Sequence, residues 1–252
     1  MAAQIVQLRR DQVLERVQVA VTNRGSEPVV VERLRLAVEG YRSPAAVRKD
    51  SPIPAGQVVN LPWTHGSVRC SSDGQPAVGA ATVTLRVRRE SATEATTVRL
   101  TPRDPDRLLE RIAERACTVE RIMREVDLRF GDTWRAEQTR DGVVLHGELL
   151  ARLSTDEPRI VTQVAGAIMY GLRPDGSAGP ISDPLARLTP GRPSASIPVL
   201  AYAARCDPHT IGEIKKPFEF LVWVGEPGAE PVAVTPQVAQ PTKDALRLAC
   251  AF

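Results

Sequence analysis

The property that most restricts this fold is that the chain repeats itself. Leu61-Pro62, seven residues and Cys70 align with Ile197-Pro198, seven residues and Cys206, at a constant offset of 136. Each cysteine follows an arginine, Arg69 or Arg205, and each segment follows a Pro/Gly turn, Pro54-Ala55-Gly56 or Pro190-Gly191. Upstream, Glu27-Pro28 and Glu157-Pro158 stand between alternating apolar runs: Val17-Val19-Val21 with Val29-Val31, and Leu149-Ala151-Leu153 with Ile160. Downstream, Leu108 to Cys117 and Ala245 to Cys250 are short helical patterns ending in Ala-Cys. A period near 133 residues is far too long for a solenoid. It reads as one domain duplicated, with domains at 1–117 and 118–252 of the 252 residues.

The four cysteines allow three pairings. The duplication favours one bond per repeat, Cys70–Cys117 and Cys206–Cys250; four reduced, buried thiols in a cytosolic protein are the rival. Symmetric cysteine usage is rarely needed for packing, and oxidised bonds belong outside the cytosol. The expected location is therefore extracytoplasmic, secreted or at the cell surface. The start, Met-Ala-Ala-Gln-Ile-Val, is not a signal peptide, because no apolar core of adequate length follows a basic start. The export signal, and any lipid anchor, are expected on an N-terminus outside this sequence. No transmembrane segment is expected: the longest uncharged, apolar-rich stretch, Ile160 to Leu172, has 13 residues, against the roughly 20 a spanning helix needs.

Within each repeat the dominant period is two. Gln12 to Asn23, Val29 to Val38, Gln57 to Leu61, Ala81 to Val87 and Thr96 to Leu100 read as strands separated by turns. So do Glu125 to Phe130, Val143 to Leu153, Ile160 to Leu172, Ser194 to Ala203, Phe218 to Val224 and Pro231 to Val234. A helix is expected over 105–122, capped by Asp104-Pro105, with Leu108, Leu109 and Ile112 facing the first sandwich. The fold class is mainly β: two tandem immunoglobulin-like β-sandwich domains related by internal duplication, with a short helix closing each repeat. The likeness is one of architecture only, since the Cys…Trp…Cys core of immunoglobulin domains is not matched.

Charge and motifs mostly exclude functions. The net charge is +3; residues 1–117 carry 18 basic and 13 acidic side chains, and residues 118–252 carry 15 and 17. With signs mixed along the chain, no basic patch is expected and no nucleic-acid partner. Ten aromatic residues offer few stacking platforms, and Trp63 and Trp223 sit in strand patterns that read as core. There is no nucleophile elbow, phosphate loop, His-Glu-x-x-His or Cys-x-x-Cys. His65, His146 and His209 each stand alone, so no catalytic residue and no cofactor are assigned. The best metal candidate, Cys206-Asp207-Pro208-His209 with His65 and Cys70, would need free thiolates from both repeats at once, and no metal is assigned. The loop from Asp207 to Lys216, carrying Asp207, His209, Lys215 and Lys216, is the first place to look for a binding surface, because loops on rigid sandwiches carry most recognition.

Arg205-Cys206-Asp207-Pro208-His209, Lys215-Lys216 and Phe220-Leu221-Val222-Trp223-Val224-Gly225, together with Val19-Ala20-Val21-Thr22-Asn23, resemble uncharacterised two-domain secreted proteins and lipoproteins of high-GC Gram-positive bacteria. The resemblance implies a location outside the membrane and no established activity. The expected function is an exported, non-enzymatic binding or scaffolding protein of the cell envelope, whose partner is a protein or an envelope component. A metal-binding or hydrolytic protein using the Asp207–His209 loop is the alternative.

Overall fold

Valine at every second position shapes the start of the first unit. The computed structural model describes residues 1–140, 142–176, 183–214 and 216–250, without the side chain of Val13. They form two units, Met1–Thr118 and Val119–Phe252, built mainly of antiparallel sheets. The first contains β1 (Ala2–Val6), α1 (Arg9–Val13), β2 (Arg16–Thr22), β3 (Val29–Val38), β4 (Val47–Ile53), β5 (Val58–Thr64), β6 (Ala81–Arg89) and β7 (Ala95–Leu100). Helix α2 (Leu108–Glu125) begins in the first unit and ends in the second. One sheet has the order β1-β2-β5, the other β4-β3-β6-β7. Val17, Val19 and Val21 of β2 meet Val31, Leu34, Leu36, Val83 and Leu85 of the second sheet in one core, each essentially inaccessible to water. This is the period-two pattern of strands that bury one face.

Residues 12–15 depart from the expected strand. The chain forms α1 there, turns through Glu15 (φ 49°) and only then enters β2. Asp11 explains the departure. Its carboxylate accepts hydrogen bonds from the Leu8 backbone N–H (3.0 Å), Arg16 Nε (2.7 Å) and the Gln18 amide (2.9 Å). Burial pushes its pKa up, but the bond from Arg16, then those from Leu8 and Gln18, hold it below the ordinary carboxylate value. Gln18, opposite the valines on β2, is itself buried, so α1 is fastened to the outer side of its sheet by polar contacts that periodicity does not register.

Helix α2 starts three residues later than the spacing predicts. Asp104 accepts from the Leu108 and Leu109 N–H groups at 2.8 and 3.0 Å, satisfying two donors of the first turn. Leu108, Leu109 and Ala113 are buried in the first core, Ile112 packs against it, and Cys117 is bonded to Cys70. Farther along, Ile122 belongs to the core of the second unit.

The second unit contains β8 (Val126–Phe130), β9 (Arg135–Thr139), β10 (Gly142–Leu153), β11 (Arg159–Ala165), β12 (Tyr170–Pro174), β13 (Ala186–Leu188), β14 (Ser194–Ala203), α3 (Pro208–Glu213), β15 (Leu221–Gly225), β16 (Val232–Val234) and α4 (Gln240–Ala249). The orders are β12-β14-β10-β8, with β9 also on β10, and β13-β11-β15-β16. The expected strand over Ile160 to Leu172 is therefore two strands in two sheets. Between them, Gly166 makes a close backbone approach: a Cβ there would stand 2.1 Å from the Tyr170 carbonyl oxygen. The strand orders of the two units correspond, β1-β2-β5 to β8-β10-β14 and β4-β3-β6-β7 to β13-β11-β15-β16. Each unit also bulges in the second strand of its four-stranded sheet, in β3 between Val31 and Arg33 and in β11 between Val161 and Gln163. A second disulfide joins Cys206 to Cys250, at a sequence separation of 44 against 47 for the first pair. No helix among the described residues is long and apolar enough to cross a membrane.

Candidate functional site

The loop singled out from sequence is half a helix. Asp207 caps α3, accepting from the Thr210 N–H at 2.9 Å and its hydroxyl at 2.7 Å. The Thr210 hydroxyl and backbone bonds hold the Asp207 carboxyl below its ordinary pKa. His209 is exposed and faces Glu213 one turn on, at 3.4 Å. Lys216 pairs with Glu219 at 2.7 Å, and Lys215 lies outside the described residues. These side chains turn to their own neighbours and do not converge. Cys206 is oxidised, so it has no thiolate to offer a metal. Among the described residues, no three His, Cys, Asp or Glu side chains are arranged to hold one.

Histidine 146, unremarkable in sequence, stands between two carboxylates on the outer face of β10. Nδ1 lies 2.8 Å from Asp175 and Nε2 3.1 Å from Glu137. The His146 hydrogen bond, more than burial opposes, keeps the Asp175 carboxyl below its usual value. Both ring nitrogens face carboxylates. Trp63 is buried in the first core as its pattern suggests. Trp223 is instead on the outer face of β15, between the buried Val222 and Val224, and only partly covered.

The feature that sequence reading missed is the outer face of β4-β3-β6-β7. Strand alternation sends Leu34, Leu36, Val83, Leu85 and Val87 inward and leaves Arg33, Arg35, Arg86 and Arg88 on the opposite side. Register then aligns them across strands. Arg33 is directly opposite Arg48 of β4 on one side and Arg86 of β6 on the other. One step along, Arg35 is opposite Thr84, which is opposite Arg99 of β7. At the end of β3, Gly40 turns the chain at φ +85°, with space for no Cβ beside the Ala77 carbonyl. Its own carbonyl accepts from the Arg69 N–H at 2.7 Å. Arg42 and Arg69 thereby join Arg35 and Thr82 around one cleft.

Eight arginines thus share this face with three acids. Glu32 accepts from Arg86 and Arg88 at 3.1 and 3.2 Å, Asp50 pairs with Arg48, and Glu39 accepts from the Ala80 N–H. Arg33, Arg35, Arg42, Arg69 and Arg99 have no carboxylate within ion-pair distance among the described residues. The face is net +5, equal to the whole excess of 18 basic over 13 acidic side chains in residues 1–117. The expectation of no basic patch is corrected here: charges that alternate in sign along the chain are sorted by strand register onto different surfaces. Two Arg-x-Arg pairs, at 33–35 and 86–88, carry the only local sign of it. Like charges directly opposite on a sheet are destabilising, so the row is not a folding device. The second unit makes the same point at its corresponding positions after the bulge, where Gln163 faces Trp223 and Ala165 faces Leu221.

No protein-family model and no curated protein sequence matches the chain. Among solved structures it is similar to the YadV chaperone, at 12% identity over 92% of this chain and 98% of that one, with a TM-score of 0.23. It is also similar to the BSP domain of a biofilm associated protein, at 5% identity over 93% of this chain and 57% of that one, with a TM-score of 0.25. Likenesses this distant leave the assignment of a site to the geometry above.

Proposed function

We propose that this is a non-enzymatic binding protein that works outside the cytoplasm and holds a negatively charged partner against the arginine face of its first unit. One observation carries the reading: the outer face of β4-β3-β6-β7 and the cleft at its end together carry a net +5, and five of their eight arginines have no carboxylate within ion-pair distance among the described residues. Two disulfides, typical of proteins outside the cytosol, support the location. So does the resemblance to secreted proteins and lipoproteins of high-GC Gram-positive bacteria, which makes a component of the cell envelope the natural partner. The corresponding strand orders and bulges support descent of both units from one immunoglobulin-like sandwich. Pro62 opposite Gln18 and Pro198 opposite Glu148, on corresponding strand pairs, add to that support. On this view the arginines are what the first copy acquired and the second did not.

The test is binding to immobilised dextran sulfate, comparing the natural protein with Arg33→Gln/Arg35→Gln. The natural protein is expected to bind at low salt and to release as salt screens the charges. The variant is expected to lose most of that binding. Equal retention of both would remove the face as a binding site.

A further inference from the structure

We infer that the partner is a linear carboxylated polysaccharide lying across the four strands of the arginine face; this rests on the anion-binding reading of the same surface. Neighbouring strands are about 4.8 Å apart and every second residue along a strand is about 6.6 Å on. Arg48, Arg33 and Arg86 therefore form one row across the sheet, and Arg35 and Arg99 form a second row one step away, with Thr84 between them. A compact anion would occupy one or two guanidinium groups and leave the rest opposed to one another. A polymer with one carboxylate per sugar ring can reach the unpaired members, Arg33, Arg35 and Arg99, together. Where successive units present their carboxylates to alternate sides of the chain, they meet first one row and then the other. Guanidinium is the side-chain cation that grips a carboxylate through two parallel hydrogen bonds. Glu32 on β3 pairs with Arg86 and Arg88 of β6 and Asp50 pairs with Arg48 on β4, whereas Arg33 and Arg35 have no carboxylate within ion-pair distance among the described residues and are left for a ligand.

The rest of the face selects among polyanions. Thr82, Thr84 and Thr97 interleave with the arginines and bring hydroxyls, which suit a partner rich in hydroxyls of its own. Tyr41 lines the cleft beside Arg42 and Arg69 but is buried, as is Trp63, so among the described residues no exposed aromatic ring stands on this face to stack a base; single-stranded nucleic acids are held largely by such stacking. The arginines sit on the face of a four-stranded sheet and not on a helix or two-stranded ribbon of the kind that enters a duplex groove. A folded acidic protein is disfavoured because the face has none of the aromatic or large apolar anchors that dominate protein interfaces.

The probe is a series of oligogalacturonates from monomer to decamer, titrated calorimetrically into the full chain at low salt. Affinity is expected to rise steeply with length and to level once the oligomer spans the rows. Arg33→Gln and Arg35→Gln are each expected to weaken the longest oligomer roughly tenfold or more, and Arg10→Gln on α1 to leave it unchanged. All three are surface changes, and near-ultraviolet circular dichroism verifies that the variants are folded. Equal affinity for monomer and decamer, still dependent on Arg33, would overturn the polymer and leave anion binding standing. Tighter binding of duplex DNA or poly(glycerol phosphate) of matched charge through the same arginines would overturn the polysaccharide. Binding of no anion that depends on Arg33 or Arg35 would overturn both.

Discussion

Replacing Asp11 by alanine should destabilise the first unit by roughly 2–4 kcal/mol. The figure comes from what the carboxylate holds. It is wholly buried and accepts three hydrogen bonds, and one of the donors, the Gln18 amide, belongs to a residue that is itself buried. A buried donor left without a partner costs about 1–3 kcal/mol. Breaking a fully buried ion pair costs about 3–5 kcal/mol, but the Arg16 side chain is 29% exposed and recovers part of its solvation, so the pair contributes the lower part of the range. Trp63 reports on this region, since it is opposite Val17 in the β2–β5 ladder. Urea unfolding followed by its fluorescence, with Trp134 and Trp223 changed to Phe, isolates the first unit. The acid dependence has a definite sign. The folded carboxyl is held below its ordinary value, so its contribution is present above the unfolded pKa of about 3.9 and is lost as pH falls through the folded one. The gap between Asp11 and Asp11→Ala should therefore close in acid. A loss under about 0.5 kcal/mol at neutral pH, or a gap that does not change in acid, would show that the network adds nothing to folding.

Three further outcomes follow from particular side chains. Cys70→Ser/Cys117→Ala should cost about 4 kcal/mol, the loop-closure value for a 47-residue separation in the chain-entropy model; thermal unfolding in oxidising buffer measures it. The Trp63 indole N–H is buried with no hydrogen-bond partner among the described residues, so Trp63→Phe removes an unsatisfied donor along with its packing and should cost less than about 2 kcal/mol, whereas Trp63→Ala should cost about 3–5 kcal/mol. His146→Ala should let the Asp175 carboxyl pKa rise toward its ordinary value, because the His146 bond is the first cause holding it down; a carbon-detected NMR titration that finds no rise contradicts that cause.

Much of this architecture could be read from local patterns. Val17-Val19-Val21 and Leu149-Ala151-Leu153 show strands that bury one face, because side chains alternate across a strand whatever lies beyond it. The cysteine pairing followed from the order of matched segments, and the structure closes Cys70 to Cys117 and Cys206 to Cys250. Local pattern failed where a polar residue reached across the chain. Residues 12–15 look like strand, yet Asp11 folds them back to meet Arg16 and Gln18. Ile160 to Leu172 looks like one strand, yet it divides between two sheets around Gly166.

Both chemically distinctive places in the molecule are products of register. His146 gains Asp175 from beyond β12 and Glu137 from β9, neither adjacent to it in sequence. Arg48, Arg33 and Arg86 come from three strands whose neighbours along the chain include Glu32, Asp50 and Glu90. Period and cysteine spacing are properties of the chain, because each rests on residues a few positions apart or on order alone. The arginine row exists only after antiparallel pairing has set Arg33 opposite both of its partners. A one-residue slip in that pairing would turn every second side chain to the other face, which is why charge counted along the sequence could not reveal it.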